Sequence, residues 1–306
     1  MITSFFKTSK PFHFIITAFF MLVLFVFYRN KMIPSLNWNM VLNEFLIYLV
    51  LIFTIAVLSF VVAKNNLTKQ NSFSVILFAL FLGCIPETLM HDNILISNVF
   101  VLLAIRRLVS LKSNISVKKK LFDAAFWLGI ASLFYFWSIL FFGLIFIALL
   151  LFALGQLRNW LIPFIAIIAL AVILSSYSIL FNDSFFSFNE YFESVSFSFK
   201  NVFSLKFIIG ASTLSLISII AIVFYVKKVS EFIRVKRSSF LIVLYAFLIA
   251  FSCFVIAPSK NGSEVIFMYP PLAIITSNFL ETIKNRWFSD FVFYFIFGTV
   301  ISVLVL

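Results

Sequence analysis

The stretch Pro86-Glu87-Thr88-Leu89-Met90-His91-Asp92-Asn93 holds the densest group of side chains able to do chemistry in this sequence. Two carboxylates, Glu87 and Asp92, flank His91, and the whole stretch lies between apolar segments 73–85 and 94–105. A carboxylate at such a boundary can serve as a general base toward a hydroxyl, or help hold a divalent metal that grips a phosphate. The same residues also suit a solvated loop, in which Pro86-Glu87 opens a turn and Asp92-Asn93 caps the following helix. Glu44, preceded by Asn39 and Asn43, offers a further base if its loop meets that of Glu87. It equally fits the first turn of a helix, where an acid complements the dipole. Lys260 and Glu264 stand before another apolar segment, placed either to bind an anionic head group or to pair with each other.

Several chemistries are excluded by what is missing. The chain has two histidines, His13 and His91, so a His-rich iron site cannot be assembled. No Walker-type phosphate loop, G-x-S-x-G elbow or H-E-x-x-H pair occurs. No cofactor is identified by motif, although the acids leave a role for a divalent metal. Cys84 and Cys253 lie in apolar segments without metal-ligand spacing and read as small buried hydrophobes.

The elements that must position these residues belong to a membrane protein. Of 306 residues, 63% are hydrophobic and 11% charged, and the mean hydropathy is +1.16. A soluble domain of this length cannot bury that much apolar surface, so lipid must be part of the solvent. The 46 phenylalanines fit an aromatic-lined path for a lipid, or simply the freedom of lipid-facing positions to accept any apolar residue. The net charge of +12 sits in short loops between apolar segments, as topology-setting lysines and arginines do, with no basic face for nucleic acid.

The spacing predicts an all-α, polytopic bundle of about eleven transmembrane helices in a single integral membrane domain, residues 1–306. Lys7 and Lys10 precede the first segment, 12–28, which reads as an uncleaved signal anchor. A loop at 29–44 leads to 45–63, then 73–85 and 94–105, both short for a crossing of roughly 20 residues. The run 122–155 splits near Phe136-Trp137-Ser138. Segment 160–181 follows with Pro163 in its first turn, and the alternating stretch 192–199 is either extended or an amphipathic surface helix. Segments 207–226, 240–257, 265–279 (broken by Pro270-Pro271) and a last one from 291 complete the set.

Eleven crossings with the N-terminus in the cytoplasm leave 18 Lys/Arg inside against four acids, and five Lys/Arg outside against seven acids. That asymmetry sets the orientation and puts Glu44, Glu87, His91, Asp92, Lys260 and Glu264 on the outer face of the inner membrane.

Two stretches carry a resemblance. Met268-Tyr269-Pro270-Pro271-Leu272-Ala273 resembles, with shorter spacing, the R-Y-x-x-P-x-x-P-L-A opening of a late helix in GT-C glycosyltransferases, which take sugars from polyprenol phosphate carriers. Ala124-Ala125-Phe126-Trp127-Leu128-Gly129-Ile130-Ala131 resembles the start of another of their helices. The chain as a whole also looks like a group of bacterial multi-pass membrane proteins of no assigned function. The GT-C resemblance covers about a third of the chain. It implies a polyprenol-linked sugar as substrate, Glu44 or Glu87 as base, and His91, Asp92, Lys260 and Tyr269 at the substrate or its phosphate. Two departures stand out: only Glu44 can replace the family's acid of the first outer loop, and the arginine before the Tyr-Pro motif is absent.

Three functional expectations follow: a GT-C-like protein acting on lipid-linked sugars in envelope glycan synthesis, a non-catalytic membrane partner of an envelope assembly or export complex, or a transporter of an amphipathic substrate. The scarcity of charges inside the apolar segments argues against ion coupling.

Overall fold

A chain surrounded by lipid must satisfy its backbone N–H and C=O groups within itself, and the apolar segments accordingly fold mainly as helix. The computed structural model describes residues 2–30, 38–152, 154, 156–183, 195–199, 204–258, 260–283 and 285–306. Among these, all regular structure is helical. In order the helices are α1 (Ile2–Phe6), α2 (Pro11–Arg29), α3 (Trp38–Asn65), α4 (Phe73–Cys84), α5 (Asp92–Val109), α6 (Val117–Phe134), α7 (Phe142–Leu151), α8 (Leu157–Asn182), α9 (Leu205–Ser230), α10 (Arg234–Ile256), α11 (Tyr269–Thr282) and α12 (Arg286–Val305). Short 3-10 turns, Pro86–Leu89, Phe136–Phe141 and Ser263–Met268, interrupt the path after α4, after α6 and before α11.

Seven helices are long and apolar enough to cross a membrane: α2, α3, α5 with the 3-10 turn that follows it, α8, α9, α10 and α12. Shorter are α7, with 10 residues, and α4 and α11, with 12 and 14. At 1.5 Å per residue α4 and α11 reach about 18 and 21 Å, against a hydrocarbon core of about 30 Å.

Several boundaries differ from the sequence expectation. Helix α3 begins at Trp38, so residues 38–44 are helical and Glu44 lies in the second turn, not the first. Helix α5 reaches Val109 and takes Arg106 and Arg107 into its last turn, where cations complement the dipole. Arg107 pairs with Asp123 of α6 at 2.8 Å, and Arg106 lies over the Phe60 ring at 4.5 Å. Helix α8 starts at Leu157, which moves Pro163 to its second turn. Pro270 and Pro271 start α11 rather than breaking it, because a first-turn residue has no intrahelical use for its N–H. Of the alternating stretch 192–199, residues 195–199 are not helical and the rest lies outside the described residues, as do Glu190 and Glu193.

Of the short helices, α4 and α11 form the centre. Every residue of α4 is buried, as is every residue of α11 from Tyr269 to Leu280. They pack on each other, with α9 against both, α2, α3 and α12 around α4, and α10 against α11. A helix that is apolar all round must be buried on all sides or face lipid; α4 takes the first course and α8 the second.

Contacts between helix termini sort the loops into two ends. At one, Lys228 at the close of α9 meets Glu281 of α11 at 3.0 Å. The Glu281 carboxylate also accepts from the Lys69 N–H and from Asn71 Nδ2, both at 2.7 Å. Lys112 Nζ donates to the Asn65 carbonyl at 2.6 Å. The basic loops gather here. At the other end meet the close of α2, the start of α3, the break after α4 and the start of α5, with Glu44, Glu87 and Asp92.

Candidate functional site at the acidic end

The site is built on the break after α4. Proline disfavours αR at the residue before it and has no N–H for the helix ladder; here Ile85 is non-helical (φ −132°, ψ 87°) and Pro86 opens the 3-10 turn. This turn packs against α2, α5 and the 3-10 turn that leads into α11. Thr88 Oγ1 donates to the Ile85 carbonyl at 2.7 Å, which fixes the turn. Two glycines allow the close fit. A Cβ on Gly210 of α9 would lie 2.0 Å from the Cys84 carbonyl oxygen, so α9 meets the end of α4 at backbone level. Gly262 has φ +84°, and a Cβ there would meet the Phe207 ring at 2.9 Å and Glu87 Cβ at 3.4 Å.

The predicted acids divide into two groups. Glu44 and Asp92 converge on Arg29, whose Nε is 2.9 Å from Glu44 Oε2 and whose Nη2 is 2.6 Å from Asp92 Oδ1. Asn43 Nδ2 donates to the second Asp92 oxygen at 3.4 Å, and the Arg29 guanidinium lies 5.2 Å from the Phe25 ring centre. Arg29 itself is 8% exposed, and its Nη1 has no hydrogen-bond partner among the described residues. One buried cation thus ties α2, α3 and α5. Asp92 spends its carboxylate on Arg29 and makes no side-chain cap for α5. His91 is exposed; its carbonyl accepts from the Leu95 N–H at 3.2 Å, and its side chain makes no hydrogen bond or ion pair among the described residues.

Glu87 remains available. One oxygen accepts from Ser204 Oγ at 3.4 Å; the other is buried and has no hydrogen-bond partner among the described residues. The phenols of Tyr28 and Tyr269 lie within its electrostatic reach, both buried. The Tyr269 hydroxyl is beside Thr88, but no well-formed hydrogen bond joins them, and the ring packs on Phe78 and Phe81.

Lys260 and Glu264 are each 1% exposed and do not pair with each other. Lys260 Nζ donates to the Ser196 carbonyl and lies 4.3 Å from the centre of the Phe199 ring, so residues 195–199 cover it. Neither Glu264 oxygen has a hydrogen-bond partner in good geometry. Burial pushes its carboxyl up to about 7, opposed by nearby backbone N–H groups, its own and those of Asn261 and Gly262, and by the charge of Lys260. Among the described residues no group of three or more His, Cys, Asp or Glu side chains converges to hold a metal ion.

Beside the Glu87 turn, an apolar groove of about 470 Å³ runs between α9, α10 and α11. Ile85 and Tyr269 close its inner side, while Ile219, Leu248 and Phe251 line it and are exposed, so it opens sideways. No family model, curated protein or solved structure matches the chain. The GT-C resemblance therefore stands on the two quoted motifs.

Sequence reasoning found Glu44, Glu87, Asp92, Lys260 and Tyr269 at this end but missed what joins them. In the sequence Arg29 counted only as one of the five Lys/Arg of the outer loops. Its place beside Tyr28, at the close of a helix facing an acidic loop, was the available signal. Ser204, Gly210 and Gly262 carried none that a single sequence displays.

Proposed function

We propose that this chain is an inner-membrane protein of eleven helical segments, its basic end in the cytoplasm, that acts on a lipid-linked sugar at its outer face in the manner of GT-C glycosyltransferases. The observation that carries this reading is the unspent Glu87 oxygen beside a laterally open apolar groove. A polyprenyl chain would enter that groove from the bilayer and leave its phosphate and sugar at the Pro86–Leu89 turn.

Glu87 acts as the base. It removes the proton of an acceptor hydroxyl, the oxygen attacks the anomeric carbon, and the sugar–phosphate bond breaks to release polyprenyl phosphate. Glu44 and Asp92 are positioning residues: bound to Arg29, they hold the ends of α2, α3 and α5 around the turn. Lys260, freed from Ser196 and Phe199, would meet the phosphate.

The test is mass spectrometry of lipid-linked sugars and envelope glycans in a deletion strain complemented at matched expression. Wild type restores a missing glycan and Glu87→Gln does not. Full restoration by Glu87→Gln removes the enzyme reading. A second reading, a non-catalytic membrane partner, is favoured by α8, where only 17% of the most apolar stretch is buried. A stable co-purifying membrane protein lost on substitution of that face would support it.

A further inference from the structure

The basic end carries a feature that the reading above does not use. Helix α1 is short but firmly tied. Thr3 donates through its N–H (2.9 Å) and its hydroxyl (2.7 Å) to Asp290 of α12. The Phe6 carbonyl accepts from the Ser72 N–H at 3.0 Å, and Ser72 Oγ donates to the Thr8 carbonyl at 3.3 Å. His13 Nδ1 meets the same hydroxyl at 3.2 Å, with the Phe5 and Phe6 rings against the imidazole. So α1 roofs the crevice between α2, α4 and α12.

Under that roof are two adjoining spaces of opposite character. One, about 270 Å³, is lined by Lys7, Lys69, Asn71, Ser289 and the carboxylate of Glu281. The other, about 190 Å³, is lined only by apolar side chains, among them Phe6, Phe20, Ile76, Leu80 and Phe297. They meet where Phe73 of the first packs on Phe293 of the second, ring centres 5.8 Å apart. The carboxylates nearby are already engaged: Glu281 by the Lys69 N–H, Asn71 and Lys228, and Asp290 by Thr3. The ammonium groups of Lys7 and Lys69 make no ion pair or hydrogen bond among the described residues. A polar pocket with two cations outside any ion pair, set beside an apolar slot, complements the anionic head and apolar tail of a phospholipid.

We infer that this crevice is a binding site for an anionic glycerophospholipid: the phosphate lies between Lys7 and Lys69, and one acyl chain lies in the slot between α2, α4 and α12. The site is at the opposite end from Glu87 and is independent of the proposed reaction. Its occupancy braces α1 and the centre of the bundle.

The test uses full-length protein in nanodiscs of phosphatidylcholine doped with phosphatidylglycerol, with bound lipid read by native mass spectrometry after mild extraction. Wild type retains phosphatidylglycerol selectively. Lys7→Gln with Lys69→Gln lowers that retention about thirtyfold, since each lysine near a lipid phosphate is worth about 1 kcal/mol. Lys118→Gln with Lys119→Gln, equal in charge but remote from the crevice, leaves it within about twofold. Equal loss in both double variants, or retention of phosphatidylcholine as strong as that of phosphatidylglycerol, overturns the proposal. Displacement of the lipid by inorganic phosphate also overturns it, as that marks a soluble-anion site. Should the lysine variant fail to fold, a photoactivatable phosphatidylglycerol on wild type decides: adducts on Ile76, Leu80 or Phe297 are expected, and adducts confined to other helices contradict the site.

Discussion

Helices α4 and α8 are both apolar along their length, yet one is buried on every side and the other is the most exposed long helix of the bundle. Hydropathy reports that lipid or protein must cover a helix, not which of the two does so. Length supplies the difference. A 26-residue helix such as α8 spans the bilayer and can present its surface to lipid. A 12-residue helix such as α4 cannot, and the polar turn that ends it has to be enclosed by protein. The same holds for α11 and the turn before it, so the breaks of the two short helices bring Glu87, Glu264, Lys260 and Tyr269 to one end.

The comparison breaks first at the tightest contact. Gly210→Val drives a side chain into the Cys84 carbonyl, which as backbone cannot swing aside, at a cost of about 3 kcal/mol or more. Recovery of folded monomer by size exclusion should fall sharply; a well-folded Gly210→Val protein would mean that α9 does not seat on α4. Next comes the ionic tie. Arg29→Met leaves Glu44 and Asp92 facing each other without their cation, at a cost of about 3 kcal/mol, the low end for a broken buried pair because both acids keep contact with water. Thermal unfolding should register it, with Arg29→Lys falling between the two.

Glu264 sharpens the picture through pH. Its folded pKa, about 7, lies above its ordinary value of 4.5, so folding favours the protonated form. The stabilisation is complete below about pH 4.5 and is lost as pH rises through about 7, amounting to at most about 3 kcal/mol. Thermal stability of wild type should decline over that interval, and Glu264→Gln should flatten the profile. A wild-type curve that is level there would place Glu264 in water. The smallest effect belongs to α8: Ile168→Ala, on its exposed face, should change stability by less than about 0.5 kcal/mol. A larger loss would show that protein, not lipid, covers that face.

Much of the bundle was legible because apolar run length and charged-loop spacing are written directly in the chain. Among the described residues the apolar segments are mainly helical, seven of the helices being long and apolar enough to cross a membrane, and Tyr135 leaves the helix beside the expected split at Phe136-Trp137-Ser138. Boundaries were less legible. Helix α3 takes in Asn39, Asn43 and Glu44; Glu44 pairs with Arg29 and Asn43 donates to Asp92, both on other helices. Pro270-Pro271 looked like an interruption because periodicity alone does not distinguish a helix start from a helix break. At the site, residue types were visible but pairings were not: Glu44 and Glu87 looked equivalent until Arg29 claimed one of them.

The most direct test of the central claim, that the breaks of the short helices serve a lipid substrate in the groove between α9 and α10, is photolabelling. Wild-type protein in nanodiscs would be exposed to a photoactivatable polyprenyl phosphate and the adducts mapped by peptide. The account predicts adducts on Phe207, Phe251 and Met268, suppressed by unlabelled polyprenyl phosphate and not by phosphatidylcholine. Labelling spread evenly over α8 and the other exposed helices, insensitive to polyprenyl phosphate, would contradict it.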